Sequence, residues 1–172
     1  RITLSGYEGS ELLVARLLIE SGAEVPYVGS ACPETAFSAA DRAWLEEHGT
    51  QVQYRASLEH DLAAIDEYGP DLAIGTTPVV QAAKQKSLPA LYFTNLISAR
   101  PLLGPAGAGS LAQVINAALG NKPRFDRMRE FFEGVGEADT AGVWQEQPRA
   151  HPEFREQQLR KLAKRQAVED PV

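Results

Sequence analysis

The sequence lacks several residue patterns that well-known classes of protein require. Its 172 residues contain one cysteine, Cys32, which excludes an internal disulfide framework, a cysteine-rich zinc site and a self-contained iron–sulfur cluster. The three histidines (His48, His60 and His151) lie far apart without the spacing of metal ligands, and we expect them at the surface. No G-x-S-x-G nucleophile elbow is present, so hydrolase chemistry of that type has no nucleophile.

Long apolar runs and an excess of positive charge are also missing. No apolar run reaches the roughly 18 residues of a membrane helix, and no signal peptide pattern is present. The net charge is −6, and residues 1–121 account for it with 7 basic and 13 acidic residues. We therefore expect a cytoplasmic protein with no transmembrane segment and no nucleic-acid partner. Because Arg1 directly precedes a strand-like segment, we also expect the chain to be a piece of a longer polypeptide.

Strand and helix patterns alternate over residues 1 to about 95, with short connections between them. The predicted strands are ITLS, EVPYVG, VQYR, DLAIG and PALYFT, and amphipathic or apolar helical segments separate them. This alternation predicts an α/β fold, a Rossmann-like doubly wound parallel sheet of four to five strands with helices on both faces, plus C-terminal helices. We expect residues 1–121 to form this domain and residues 122–172 to form a helical extension.

The alternation of strand and helix patterns ends after the last predicted strand. Residues 94–110 predict a long irregular connection, with Gly107 and Gly109 just before a helix. Long glycine-bearing loops after a sheet strand are often functional. Two further helical segments follow, LAQVINAALGN and KPRFDRMREFFEGVG, and then a charged tail.

The glycine turn G-Y-E-G-S after the first strand is the first candidate site. In a doubly wound sheet the ligand crevice lies at the carboxyl ends of the strands, so Tyr7, Glu8, Gly9 and Ser10 are expected to line it. The G-x-G-x-x-G fingerprint is incomplete, and Glu8 brings negative charge to the place where a phosphate would bind. Three interpretations stay open: a nucleotide loop, a purely structural turn, and a turn that lines a larger apolar pocket with Tyr7 as its wall.

Residues after the other strands complete the candidate set: Cys32, Thr76, Thr77, Asn95 and Arg100. Burial is the ordinary role of a lone Cys32, and one threonine hydroxyl is expected to cap the following helix. Arg100 suits either a ligand carboxylate or an acidic surface residue.

Three long segments resemble a known family. SGYEGSELLVARLLIESGAEVPYVGSACP, PDLAIGTTPVVQAAKQKSLPALYFTNLISARPLLGPAGAGSLAQVINAAL and FDRMREFFEGVG are similar to the carboxyl-terminal domain of the Y-type subunits of chlorophyllide a reductases, within the nitrogenase component 1-like family. The resemblance covers about residues 1 to 144. It implies a fragment of an ATP-dependent iron–sulfur oxidoreductase that reduces the C7–C8 double bond of chlorophyllide a in bacteriochlorophyll biosynthesis.

The resemblance also implies cofactors and partners. In the complete enzyme a homodimeric reductase subunit hydrolyses ATP and delivers electrons, and a heterotetramer with a Z-type partner subunit holds a [4Fe-4S] cluster and chlorophyllide a. The cluster ligands of the family lie in an amino-terminal domain, so no cluster and no independent activity are expected for this chain. The strand-end residues would then face a substrate cavity or a neighbouring domain. Two alternatives from other classes are a free-standing Rossmann-like binding module for a nucleotide or small molecule, and a structural assembly domain.

Overall fold

The protein contains a five-stranded sheet in which all strands are parallel. The computed structural model describes residues 1–98 and 104–131. The strands are β1 (Ile2–Gly6), β2 (Tyr27–Ser30), β3 (Gln51–Tyr54), β4 (Leu72–Gly75) and β5 (Ala90–Tyr92). The helices are α1 (Glu11–Glu20), α2 (Ala39–Glu47), α3 (Leu58–Tyr68), α4 (Thr77–Gln85), α5 (Phe93–Ser98), α6 (Gly104–Gly120) and α7 (Lys122–Phe131).

The strand order is β3-β2-β1-β4-β5, with each neighbouring pair parallel. Successive strands run outward from β1 on one side and from β4 on the other, which is the doubly wound arrangement. The predicted fold class is therefore confirmed. All residues of β1, β2 and β4 are buried, as expected for central parallel strands covered on both faces.

Two apolar clusters cover the two faces of the sheet. The larger cluster joins one face to α1, α2, α5 and α6, with Leu4, Val28 and Ile74 supplied by the central strands. The smaller cluster joins Ala73 of β4 to Ile65 of α3 and to Val79 of α4. Helices therefore lie on both faces, and the carboxyl ends of the strands form one open edge between these layers.

The structure corrects the prediction for residues 94–110. Strand β5 ends at Tyr92 and helix α5 begins at Phe93, and Gly107 and Gly109 lie inside α6 rather than before a helix. A helical glycine costs about 1 kcal/mol relative to alanine. Burial of Leu111 and Ile115 contributes about 1.5–3 kcal/mol each, which outweighs that cost. Residues 99–103 of the predicted connection lie outside the described residues.

The chain divides into two units, Arg1–Pro123 and Arg124–Val172. The first unit contains the sheet and helices α1 to α6. Most of helix α7 lies in the second unit. The boundary after residue 121 that we inferred from the sequence stays a prediction.

A buried polar pair joins β2 to α3. The Tyr27 hydroxyl donates to Asp61 Oδ1 at 2.9 Å, and both side chains are buried. Gly29 makes this possible, because a Cβ there would come within 2.2 Å of Asp61 Oδ1. Burial raises the pKa of the Asp61 carboxyl above its usual value of 3.8, and the hydrogen bond from Tyr27 offsets part of that rise.

The placement of Gly109 inside a helix can be tested by substitution. Gly109→Ala should raise the free energy of unfolding by about 1 kcal/mol, because the position is helical and has open space around it. Gly69→Ala is the matched contrast, since Gly69 ends α3 at φ +50° and ψ +59°, where a Cβ costs about 1–2 kcal/mol. Urea denaturation of both variants measures the change in unfolding free energy, which should be positive for Gly109→Ala and negative for Gly69→Ala. A loss of stability in Gly109→Ala would contradict the helical conformation at residue 109.

The buried Asp61 should give stability a characteristic dependence on pH. Because its pKa is raised in the folded protein, the stability it contributes is fully present below its unfolded value of 3.8 and is lost as the pH rises through the folded value. Asp61→Asn has no charge to bury and its side-chain oxygen still accepts from Tyr27. The difference in unfolding free energy, variant minus wild type, should therefore increase in urea denaturation as the pH rises above 3.8 and through the raised pKa of the folded protein.

A control on the same helix is Asp66→Asn, whose exposed carboxylate pairs with Lys86. An exposed ion pair contributes about 0–1 kcal/mol to stability. The difference in unfolding free energy between this variant and wild type should therefore change little with pH. The expectation for Asp61 is wrong if both variants follow the wild-type profile in parallel.

Candidate functional site

The candidate site lies where β1 and β4 end side by side. The chain leaves β1 toward β2 on one side and leaves β4 toward β5 on the other, so a crevice opens at this switch point. The turn at residues 7–10 follows β1, and Thr76 and Thr77 follow β4. The structure thus brings these predicted residues to the same edge of the sheet.

A buried glutamate, Glu11, occupies the inside of the glycine turn. Its Oε1 accepts the N–H of Glu8 at 2.7 Å, and its Oε2 accepts the N–H of Gly9 at 3.0 Å. Oε2 also accepts the hydroxyl of Ser30, at the end of β2, at 2.8 Å. The side chain is 0% exposed, so the carboxylate lies inside the protein with hydrogen-bond donors from the turn after β1 and from the end of β2.

Gly6 is the residue that makes room for this carboxylate. A Cβ at Gly6 would lie 2.6 Å from Glu11 Oε1 and 2.8 Å from Cδ1 of Phe93. Both contacts are closer than real Cβ atoms allow, so a larger residue would displace Glu11 or the Phe93 ring. The first glycine of the turn is therefore required by an internal contact rather than by a ligand.

The Glu11 carboxylate changes what the glycine turn can bind. In nucleotide-binding loops the free N–H groups of the turn and the helix N-terminus face a phosphate. Here the amides of Glu8 and Gly9 already face a carboxylate that belongs to the chain. A phosphate would have to displace a buried anion or approach it closely, so the arrangement opposes the nucleotide interpretation.

The hydroxyls at the starts of α1 and α4 do not cap these helices. Ser10 and Thr76 stand at the N-cap positions of α1 and α4, but neither side chain makes a capping hydrogen bond. The expectation that a threonine hydroxyl after β4 caps α4 is therefore wrong for Thr76. Pro78 lies in the first turn of α4, where helices tolerate the missing N–H. Within the described residues, the buried Oγ of Ser10 has no hydrogen-bond partner.

A largely apolar groove of about 450 Å³ lies beside the turn, toward β2 and β3. Two predicted residues, Gly9 and Cys32, line it together with Leu12, Leu13, Ser30, Pro33, Thr35, Phe37, Ser38, Asp41 and Tyr54. The Phe37 side chain is 96% exposed and the Tyr7 ring, which follows β1, is 56% exposed. Exposed aromatic side chains beside an apolar groove are typical of a surface that meets an apolar ligand or another protein segment.

Cys32 is partly exposed in this groove rather than fully buried. Its Sγ lies 3.7 Å from the carbonyl oxygen of Tyr7, and its N–H donates to Ser30 Oγ at 3.3 Å. The Sγ contact joins the loop after β2 to the turn after β1, and the Ser30 contact stays within the end of β2 and its loop.

Asn95 lies in a different place from the turn. It lines a separate cavity of about 310 Å³ at the β5 edge, together with Lys84, Ala90, Leu91, Tyr92, Leu96 and Val114. Arg100 lies outside the described residues. The structure therefore groups Gly9 with Cys32 and separates Asn95 from both.

Residues 1–98 and 104–131 contain neither a candidate metal site nor a candidate membrane-spanning helix. No group of three or more His, Cys, Asp or Glu side chains lies close enough there to hold a metal ion. None of the helices in this part of the chain has both the length and the apolar character that crossing a membrane requires.

Sequence reasoning missed Glu11 and Phe37. An acidic residue in the first turn of a helix is favoured by the helix dipole, and that position was the available signal for Glu11. No comparable signal marked Phe37, because an aromatic residue in a polar loop is usually half-buried.

The Glu11 contacts predict a large loss of stability on substitution. Glu11→Gln removes the negative charge that strengthens these hydrogen bonds and leaves one side-chain oxygen to accept both turn amides, at a cost of about 1–3 kcal/mol. Glu8→Gln is the control, since that side chain is exposed and should change stability by less than about 0.5 kcal/mol. Urea denaturation measures the change in unfolding free energy of each variant. Equal changes would show that the buried Glu11 carboxylate contributes no more to stability than the exposed Glu8 carboxylate.

Comparison with known proteins agrees with this architecture. A family model described as nitrogenase component 1 type oxidoreductase matches residues 1–119. The solved structure of nitrogenase Cp1 at pH 6.5 is similar, with a TM-score of 0.60 and 24% identity, over 71% of this chain and 29% of the nitrogenase chain. At that identity the likeness shows the fold alone.

Two curated relatives are much closer in sequence. The chain is 70% identical over 164 residues to the chlorophyllide reductase 52.5 kDa chain of Rhodobacter capsulatus. It is 69% identical over 164 residues to the protein of the same name in Cereibacter sphaeroides. Each match covers 95% of this chain and 33% of the relative, so the chain spans about a third of their length. On the family match and the shared fold, the chain belongs to the nitrogenase component 1 type oxidoreductase family.

Proposed function

We propose that the chain is one domain of the catalytic subunit of a cytoplasmic, nitrogenase-like oxidoreductase that reduces the C7–C8 double bond of chlorophyllide a in bacteriochlorophyll biosynthesis. The observation that carries the proposal is the 70% identity to a chlorophyllide reductase chain over 95% of this chain. Because the chain spans a third of that relative, the activity belongs to the larger protein and this domain contributes to it.

The residues present do not fit an iron–sulfur cluster. A [4Fe-4S] cluster takes four thiolate ligands, and the whole sequence offers only Cys32. Under the proposal, the cluster ligands lie outside this chain and electrons come from a separate homodimeric reductase subunit that hydrolyses ATP. A Z-type partner subunit completes the heterotetramer. We therefore assign no electron-transfer step to the residues of this domain.

The proposed contribution of this domain is a wall for an apolar ligand or a neighbouring domain. A tetrapyrrole is large, flat and mostly apolar, and pockets for such ligands are apolar with few polar groups. The groove with Cys32 and Phe37, beside the exposed Tyr7 ring, has that character. Glu8, Gly9, Ser10, Thr76, Thr77, Asn95 and Arg100 remain proposed members of the substrate-cavity or interface surface.

The proposal is tested with the full-length subunit, its partner subunit and the ATP-hydrolysing reductase. Conversion of chlorophyllide a is followed by its absorption change. Tyr7→Ala should lower kcat/KM by about tenfold or more, because it removes an exposed aromatic wall of the proposed surface. Leu58→Ala is the control, an apolar side chain that is 41% exposed and lies outside the groove, and it should leave the rate unchanged.

Two results would contradict the proposal. One is a reconstituted complex that does not reduce chlorophyllide a. The other is micromolar binding of ATP or NAD(P) to the full-length subunit by calorimetry, which would favour the nucleotide-binding alternative. Equal rates for Tyr7→Ala and wild type would remove Tyr7 from the surface and leave the assignment of the enzyme intact.

A further inference from the structure

The two edges of the sheet differ in chemistry. Strand β3 at one edge alternates Gln51 and Gln53 with Val52 and Tyr54, whereas β5 at the other edge consists of Ala90, Leu91 and Tyr92 and has no residue of the glutamine type. All three residues of β5 are only partly buried. An exposed apolar edge strand is a template for pairing with another segment, and proteins normally cover such an edge.

The cavity beside β5 follows the edge of the strand itself. It is lined by all three β5 residues and by side chains from both sides of the sheet. Leu91, Leu96 and Val114 belong to the cluster on the α1 and α6 face, and Ala90 packs with the cluster on the α3 and α4 face. A space bounded in this way lies in the plane of the sheet, where a sixth strand would run.

The backbone of β5 has hydrogen-bonding groups directed into this space. The Pro89 carbonyl accepts the N–H of Ala73 at 3.0 Å, and Leu91 is paired with Ile74. Alternate residues of a parallel strand bond to opposite neighbours. Pro89 and Leu91 therefore face β4, while the N–H groups of Ala90 and Tyr92 point away from it.

The charge at this edge is unbalanced. Lys84 lies 5.6 Å from the centre of the Tyr92 ring and has no acidic partner among the described residues. In contrast, Lys86, two residues later, pairs with Asp66. An acidic side chain on the docked segment would complete the charge pairing at Lys84.

We propose that the β5 edge is a docking site for an extended segment of the same polypeptide, from the part of the subunit that lies outside this chain. The relatives are about three times as long as this chain, so the polypeptide has ample length to supply the segment. The segment adds a strand of roughly three to five residues to β5. It places apolar side chains on the Leu91 and Val114 side and an acidic side chain near Lys84. This inference rests on the proposal that the chain is one domain of a longer subunit, and not on the identity of the substrate.

Hydrogen exchange of the full-length subunit in complex with its partner subunit tests the proposal. The amides of Ala90 and Tyr92 should exchange about 100-fold or more slowly than an unstructured peptide, as slowly as the Leu91 amide that bonds to β4. Fast exchange at Ala90 and Tyr92 with slow exchange at Leu91 would overturn it, since the sheet would be intact and its edge uncovered.

A charge reversal tests the acidic contact. Lys84→Glu should speed exchange at Ala90 and Tyr92 by about tenfold or more while Leu91 stays slow. Lys86→Glu, a reversal two residues away whose partner is Asp66, should change none of the three rates. Identical rates in wild type and Lys84→Glu would remove the acidic side chain from the proposal.

The source of the segment is identified by a photo-crosslinking amino acid at position 84 in the full-length complex. A crosslinked peptide from the same polypeptide, outside the sequence of this chain, is the expected result. A peptide from the partner subunit or from a second copy would overturn the intramolecular source. Protection of Ala90 that disappears on dilution of the complex would do the same.

Discussion

A single buried carboxylate, that of Glu11, joins the loops at the carboxyl edge of the sheet. It accepts hydrogen bonds from the turn after β1 and from Ser30 at the end of β2. A buried carboxylate without such donors would cost several kcal/mol, and the buried amides would be equally costly without an acceptor. Because Gly9 and Ser30 also line the neighbouring groove, the shape of that groove depends on Glu11.

The fold class was predictable because its signals are local. Parallel strands buried on both faces read as short apolar runs such as DLAIG, and helices end at glycines such as Gly69. Ser57 at the start of α3 is a residue type that favours the N-cap position, and its Oγ accepts the N–H of His60. Each of these features is determined by a few neighbouring residues.

The parts that sequence reasoning missed depend on contacts between distant residues. Glycine-rich LISARPLLGPAGAGS reads as a loop, yet α6 forms because Leu111 and Ile115 pack against the core supplied by α1 and β1. The role of Glu11 required knowing that Ser30, 19 residues away, would lie beside it. Whether Tyr7 meets substrate or another domain depends on partners that contribute no residue to this sequence.

The two buried acids share a local arrangement. Glu11 and Asp61 both lie in first helical turns, where the dipole favours negative charge, and each needs a neighbouring glycine to make room, Gly6 and Gly29. Burial is the main cause of the raised pKa of Asp61, and the Glu11 charge adds to it. The positive, amino-terminal ends of the α1 and α3 dipoles thus interact with carboxyl groups of the protein itself. An internal carboxylate at the start of α1 opposes phosphate binding at that turn, whereas the groove beside it is mostly apolar and has the exposed Phe37 side chain at its rim.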